Sequence, residues 1–475
     1  MSTLPHLLNY NPPVPNLPFF TPLHSLPPGS ATNSQPPHKI PTLFHPLPLR
    51  GGTTILKNRI LVAPMCQYST ASSGPAIGNL TPWHLATLGH YAIKGAALVF
   101  IEATAVQANG RISPNCPGLW RDEQIEGVRA VAELCRSQSA LCGIQLAHAG
   151  RKGSTCAPFV AARAGKGSSV RAGVDVGGWP GEVVGPSWGE NQAWDGEGGA
   201  GGYWAPRELT GEEIEGMVGE WAASARRAVE AGLDVIEVHG AHGYLIHQFL
   251  SPVTNHRTDA YGGSFPNRAR LLLDILRAIR AVIPASMPLF LRLSATEWLE
   301  ETDIGRHHGS WTVEDTIALA KLASDLGVDL LDVSSGGNHP SQRINMFESK
   351  DYQTRIAGRI RRELRAAGKG MLVGAVGLIT EAEQARGIVE AVGEAEGEGR
   401  EGEDGSREEA SLDQEAHAAV QMTDAQGGHE PMADVILVAR QFLREPEWVL
   451  KVAWQLGVDV VWPSQFNRVR FPPKL

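Results

Sequence analysis

Hydrophobic and polar positions along this chain alternate between two periods. Short runs rich in β-branched and other apolar residues recur at Arg59 to Ala63, Ala97 to Ile101, Leu141 to Leu146, Asp234 to Val238, Leu289 to Leu293, Asp329 to Val333, Met371 to Val373 and Asp434 to Val438. Continuous apolar runs of this length suit strands of a parallel sheet, which are buried on both faces. Between them the period lengthens to that of amphipathic helices. The clearest begins at Thr210-Gly211-Glu212-Glu213, a capping box, and puts Ile214, Met217, Val218, Trp221, Ala225 and Val229 on one face. Strand and helix alternating eight times predict a single α/β domain, a (β/α)8 TIM barrel over residues 42–475. A doubly wound sheet is the competing architecture, but no GxGxxG follows the first strand.

Three segments fall outside this alternation. Residues 1–41 are Pro-rich and expected to be extended or disordered. Residues 157–203, rich in Gly and Trp, follow the third strand and so belong to the C-terminal mouth of the barrel, where a lid and a solvated loop both fit. Residues 394–432 are acidic and poor in apolar side chains. They read as a disordered insert before the eighth strand, on the face away from the mouth.

The residues that follow each strand are polar or small: Met65 and Cys66, Glu102 and Ala103, Gln145 and His148, His239 and His242, Arg292, Ser334 to Gly336, Gly374, and Arg440. A barrel brings all of them to one mouth, so a single site is expected there. Composition narrows its partner. With 42% hydrophobic residues, the 475-residue chain can bury a sizeable core, and its net charge of −9 argues against a nucleic-acid surface and for a small molecule. Five cysteines at no metal or redox spacing make a disulfide framework improbable, so an intracellular, cytoplasmic setting is expected. The first residues, up to His38, carry no Lys, Arg, Asp or Glu, which suits neither a secretory signal nor an Arg-rich transit peptide. No apolar run is long enough to cross a bilayer, so a soluble protein without a membrane partner is expected.

The chemistry concentrates in Val238-His239-Gly240-Ala241-His242-Gly243-Tyr244-Leu245, which puts two imidazoles and a phenol on the turn after the fourth strand. Two histidines three apart also suit metal ligation or a satisfied core. Further ligands are missing, however, for there is no HExxH, no CxxC and no Cys/His cluster at zinc spacing. Neutral imidazoles can donate hydrogen bonds to a carbonyl oxygen, and a phenol can deliver a proton.

Ala63-Pro64-Met65-Cys66-Gln67-Tyr68-Ser69, Gln145-Leu146-Ala147-His148-Ala149-Gly150-Arg151-Lys152, the His239 turn with Ser251-Pro252 and Tyr261-Gly262-Gly263-Ser264, and Gly374-Ala375-Val376-Gly377 together resemble the old yellow enzyme family of flavin-dependent ene-reductases. Cys66 with Tyr68 looks like its thermophilic-like subclass. The resemblance implies tightly bound FMN, reduced by NADPH or NADH and reoxidised by an activated alkene, conjugated to a carbonyl or nitro group.

Position by position, it implies that Ala63, Pro64, Met65, Cys66, Ala103, Gln145 and Arg292 contact the isoalloxazine ring and ribityl chain, and that Cys66 tunes the flavin. Ala439 and Arg440 match a Gly-Arg phosphate clamp in which alanine here replaces glycine, with Gly336 and Gly374 letting the backbone approach the same phosphate. His239 and His242 match the pair that binds the substrate oxygen, Tyr244 the proton donor, and Tyr68 a substrate contact. Arg468 in the C-terminal tail matches an arginine that enters a neighbouring subunit's site, which implies a homodimer or higher homo-oligomer. A pathway-specific flavin-barrel isomerase or reductase, and a flavin-free phosphate-binding barrel lyase or isomerase, remain as alternatives.

Overall fold

The structure is a computed structural model that describes residues 11–165, 169–189, 192–195, 202–344, 349–390 and 430–472. All eight apolar runs are strands: β1 (Ile60–Val62), β2 (Leu98–Ala105), β3 (Leu141–Ala147), β4 (Val235–Gly240), β5 (Leu289–Ser294), β6 (Leu330–Ser334), β7 (Leu372–Val376) and β8 (Val435–Val438). They pair in parallel in chain order, and β8 closes on β1 through Ile436↔Ile60 to Val438↔Val62. The helices α1 (Pro82–Ile93), α2 (Ile125–Ser137), α3 (Gly211–Glu230), α4 (Phe265–Arg280), α5 (Val313–Asp325), α6 (Thr354–Ala366), α7 (Ala382–Val389) and α8 (Trp448–Gln455) follow the strands in turn. The expected (β/α)8 barrel is the observed fold. Among the described residues no helix is long and apolar enough to cross a membrane.

Local chemistry sets the helix starts and the strand feet. Thr210 Oγ1 accepts from the Glu213 amide at 3.2 Å while Glu213 Oε2 accepts from the Thr210 amide at 2.8 Å, which is the expected capping box. Ile214, Met217, Trp221 and Ala225 are buried as the helical period requires, and Val218 and Val229 pack partly buried beside them. A repeated carboxylate device closes the barrel floor. Asp234, Asp329 and Asp434, each just before an even-numbered strand, accept the backbone amides of Cys142, Leu289 and Val373 on the preceding odd-numbered strands at 2.8–2.9 Å. Those amides lie where the ladder starts, and the carboxylates satisfy them.

Two apolar layers carry the fold. The larger lies between strands and helices and includes Trp221, Trp311 and Trp448. The smaller fills the barrel interior with Leu61, Leu98, Phe100, Val235, Phe290, Leu330, Val435 and Leu437. Phe100 and Phe290 meet there at 6.0 Å between ring centroids. Gly374 belongs to this plug rather than to a phosphate site. It lies inside β7, and a Cβ there would fall 2.5 Å from Leu437 Cδ1.

The flanking segments are more ordered than composition suggests. Residues 11–41 are largely extended, as expected, but are anchored at the foot of the barrel. The Gly29 amide donates to Val461 O at 2.8 Å, the Thr32 amide to Asp459 O at 2.9 Å, and Asn58 Nδ2 to Gly29 O at 3.0 Å. Residues 1–10 and 394–429, and with the latter most of the acidic insert, lie outside the described residues. The 157–203 insertion is not a solvated loop in its described parts. Ala172, Val183, Val184 and Ala193 are buried, and Val184–Gly185 pairs in parallel with Arg207–Glu208.

Because Leu437 already occupies the space beside Gly374, Gly374→Ala should cost about 1–3 kcal/mol, the usual penalty of overpacking a filled interior. The measurement is the thermal unfolding midpoint, expected to fall. An unchanged midpoint would mean that Leu437 can turn aside freely.

Candidate functional site

The turn after β4 is held by the helix that succeeds it in the chain. Tyr244 is the N-cap of this short helix, Leu245–Leu250, and two of its side chains reach back. His247 Nδ1 accepts from the Gly243 amide at 3.0 Å, and Gln248 Nε2 donates to Gly243 O at 2.7 Å. His247 in turn faces Glu297 at 3.3 Å, both fully buried. Across the mouth, the glycines allow backbone to touch backbone: a Cβ on Gly243 would lie 2.3 Å from Gly337 O.

So clamped, the turn converges three rings. His239 lies 5.1 Å from His242 and 4.9 Å from Tyr244 between ring centroids, edge to face in both cases. His242 has φ 60°, a left-handed conformation that costs energy and recurs at functional turns. Its amide donates to Ser294 Oγ at 2.9 Å, and its Nε2 faces Ser334 Oγ at 2.7 Å. His239 Nδ1 accepts from the Ala241 amide at 3.2 Å, so its proton belongs on Nε2, as a free donor. Burial, and after it the Arg292 guanidinium, holds both imidazoles well below their ordinary range and therefore neutral. Burial likewise pushes the Tyr244 phenol far up, so it keeps its proton.

The loop after β1 forms the opposite wall. Ala63, Pro64, Met65, Cys66 and Tyr68 follow one another out of the strand, with Ala63 fully buried and the rest half-buried. Tyr68, at φ 51°, is the second left-handed residue of the mouth. Glu102, within β2 beside Ala103 where the ladder register shifts, fixes this loop by accepting the Gln67 amide at 2.9 Å. Burial pushes the Glu102 carboxyl up to about 8 and raises the Cys66 thiol well above its usual value, with Cys116 and Glu102 adding to the latter.

The remaining expected residues are contributed strand by strand. Gln145 lies on β3 and Arg292 on β5, both buried and both side by side with β4 positions in the ladder. Gly336 follows β6 with φ +67°. Ala439 has φ −109°, so its Cβ meets no left-handed strain, and exposed Arg440 begins the short helix Arg440–Arg444 after β8. Only Gly374 and Arg468 fall elsewhere. Just past β7 the left-handed glycine is instead Gly377, φ +113°, whose missing Cβ admits Gln353. Arg468 lies on the tail segment Ser464–Val469, where Lys94 stacks 3.7 Å over Phe466. Lys94 caps the end of α1, at the foot of the barrel, so the tail is remote from this chain's own mouth.

Lys152 was not among the expected site residues. Its Nζ donates to His242 O at 2.8 Å and to Gly337 O at 2.5 Å, and lies 4.8 Å from the Trp194 ring. The Trp194 indole donates to the same Gly337 O at 3.0 Å, while Arg151 donates to Gln192 O at 3.0 Å. The described part of the insertion is therefore a wall of the mouth. The motif Arg151-Lys152 was visible in the sequence, but the carbonyls it ties are distant in the chain.

A model of the NADH:flavin oxidoreductase / NADH oxidase family matches residues 42–394. An NADH:flavin oxidoreductase of Gibberella zeae is 43% identical over 362 residues, 76% of this chain and 81% of that protein. An NADPH dehydrogenase of a Geobacillus species is 36% identical over 429 residues, 90% of this chain and 98% of that protein. Among solved structures, an old yellow enzyme homologue from Zymomonas mobilis shares the fold at TM-score 0.57 and 22% identity, over 91% of this chain and 97% of that one. Morphinone reductase does so at TM-score 0.58 and 23% identity, over 88% and 91%.

The depressed imidazole values have a sign that can be tested. A histidine whose folded value lies below its unfolded value of about 6.5 stays neutral in the fold and disfavours folding progressively as pH drops below that value. Ring-nitrogen NMR should therefore find His239 and His242 neutral from pH 8 to pH 5. A protonation midpoint near the ordinary value would mean that the turn is open to water.

Proposed function

The chain belongs to the NADH:flavin oxidoreductase / NADH oxidase family, as an FMN-dependent NAD(P)H oxidoreductase of the old yellow enzyme type, and from that premise we propose that it reduces the C=C bond of alkenes activated by a carbonyl or nitro group. The observation that carries this reading is the convergence of His239, His242 and Tyr244 on one point of the mouth, two neutral donors beside a buried phenol. Membership of a flavin family removes the flavin-free alternative.

The residues fit the cofactor. Buried Arg292 makes no aligned hydrogen bond through Nε, whose neighbour is the Asp332 carboxylate at 3.1 Å, and it places a guanidinium at the mouth level where a polar ring edge would lie. Gln145 and Arg292 would hold that edge, Ala63 to Cys66 and Ala103 the ring and ribityl chain, and Arg440 with the backbone of Gly336, Gly377 and Ala439 the phosphate. When bound and reduced, FMN supplies a hydride to the alkene. The protein's part is to receive the charge that this creates on the substrate oxygen. His239 Nε2–H, with His242 beside it, donates to that oxygen, and preorganised donors in a dry site are worth most there. Tyr244 then gives its proton to the α-carbon, while Tyr68 and the Trp194 wall enclose the substrate.

Replacing both His239 and His242 by Ala should slow flavin reoxidation by an enone about 10²–10³-fold or more, the loss seen when oxyanion donors are removed. Flavin reduction by the nicotinamide should change little. Stopped-flow measurement of the two half-reactions decides it, and an unchanged oxidative rate would refute the assignment. Tyr244→Phe should slow enone reduction more than nitroalkene reduction, because a nitronate can leave unprotonated. Equal losses would reduce Tyr244 to a packing residue.

We also propose a homodimer or higher homo-oligomer in which Arg468 enters a neighbour's mouth. Both arginines are exposed, but Arg470 is tied to Asn467 at 2.9 Å, which favours Arg468 as the residue that reaches out. Mixing Arg468→Ala chains with chains lacking His239 and His242 should produce heterodimers with one intact site. Verified heterodimers no more active than either parent would exclude the shared site.

A further inference from the structure

Among the described residues, the barrel interior turns polar toward the mouth. Above the apolar plug, Arg292 on β5 is flanked in the ladder by Asp332 on β6 and His239 on β4. Asp332 Oδ2 lies 3.1 Å from Arg292 Nε. Glu237, also on β4 and in register with Phe290 two residues before Arg292, accepts from Gln145 Nε2 at 2.8 Å through Oε1. Glu237 and Asp332 are fully buried. Among the described residues, Glu237 Oε2, both Asp332 oxygens and Arg292 Nε make no hydrogen bond, so the Arg292–Asp332 approach is an ion contact without hydrogen-bond alignment.

One guanidinium cannot offset two carboxylates in a dry layer, and the Asp332 charge acts directly on Glu237, which disfavours double ionisation. His239 is neutral and supplies no second cation. One proton is therefore retained, and its place is set by the contacts. Asp332 touches the guanidinium. Glu237 has only a neutral amide donor, and burial, with Asp332 adding to it, pushes its carboxyl up to about 8. Asp332 is raised by burial to about 6 and drawn back by Arg292.

We propose that Asp332 and Glu237 set the charge that Arg292 presents to the flavin, Asp332 as a carboxylate that offsets the guanidinium and Glu237 as a neutral acid that does not. The inference rests on Arg292 facing the flavin. A bare cation at that edge favours the anionic reduced flavin and would make it a poor hydride donor. An adjacent carboxylate lets the arginine bind and orient while holding the reduction potential down. Asp332 and Glu237 are thus positioning groups that touch no substrate.

The test measures the flavin reduction potential of purified holoenzymes against a reference dye. Asp332→Asn should raise it, increasing the ratio of reduced to oxidised flavin at fixed poise at least tenfold, which is about 30 mV for a two-electron couple. Glu237→Gln, which replaces a neutral group by a neutral group, should shift that ratio less than twofold. Arg292→Gln should move the potential the opposite way from Asp332→Asn. If Arg292→Gln shifts it and Asp332→Asn does not, the arginine assignment stands and the offset by Asp332 is overturned. If neither shifts it, Arg292 does not face the flavin and both readings fall. Should Asp332→Asn fail to load flavin, infrared spectra of the unaltered holoenzyme at pH 7 still decide the matter. The protonated-carboxyl band, to which Glu102 also contributes, should lose one component in Glu237→Gln. A spectrum unchanged by that substitution would mean an ionised Glu237 and would overturn the proposal.

Discussion

Closure of eight parallel strands on themselves is the constraint on which everything else in this protein depends. A parallel sheet left open would present unpaired amides and carbonyls at two edges, and closure removes both. It also forces a filled interior, because strands bent around an axis leave a space that water cannot profitably occupy. Phe100, Phe290, Leu330 and Leu437 fill it. Gly374 on β7 yields its side-chain volume to Leu437, just as Gly143 on β3 yields to Phe100, where a Cβ would fall 2.5 Å from a ring carbon. Interior packing thus fixes which strand residues can be large, and it leaves the polar chemistry only the level above the plug.

At that level the low dielectric decides behaviour. His239 and His242 are neutral because charge is costly there, and so they are donors rather than cations. The same cost keeps protons on Tyr244 and Glu237. Arg292 remains the fixed positive charge of the layer, and Asp332 is its counterweight. A mouth built this way holds its hydrogen-bond directions before any ligand arrives, which is what stabilising a developing negative charge demands. The backbone is enlisted as well, since the left-handed residues Tyr68 and His242 aim side chains where ordinary strand exits would not.

Much of this could be read from the chain alone, and for a physical reason. Parallel strands buried on both faces leave continuous apolar runs, amphipathic helices leave a stripe, and a barrel sends every strand end to one side. Period and order therefore sufficed for the architecture, and they put Met65, Cys66, Gln145, His239, His242, Arg292 and Arg440 at or just past the strand ends. The capping box at Thr210 is a local device and was equally legible. Gly374 was misassigned because a glycine near a strand end looks the same whether it makes room for a ligand or for a leucine on the next strand. That distinction depends on Leu437, 63 positions later in the sequence.

What only the tertiary structure decided was partnership between residues far apart in the chain. Glu102 holding the Gln67 amide, Lys152 bridging the carbonyls of His242 and Gly337, and Trp194 of the insertion joining the same carbonyl all depend on loops brought together by closure. The N-terminal arm anchors to the foot through backbone hydrogen bonds, which its proline-rich composition does not encode. The charge state of Glu237 and Asp332 likewise depends on one arginine on the strand between them in space. Periodicity is a property of neighbours in sequence, so it reports which face is buried. Burial, charge and hydrogen bonding at a site are properties of neighbours in space, and they exist only once the barrel has closed.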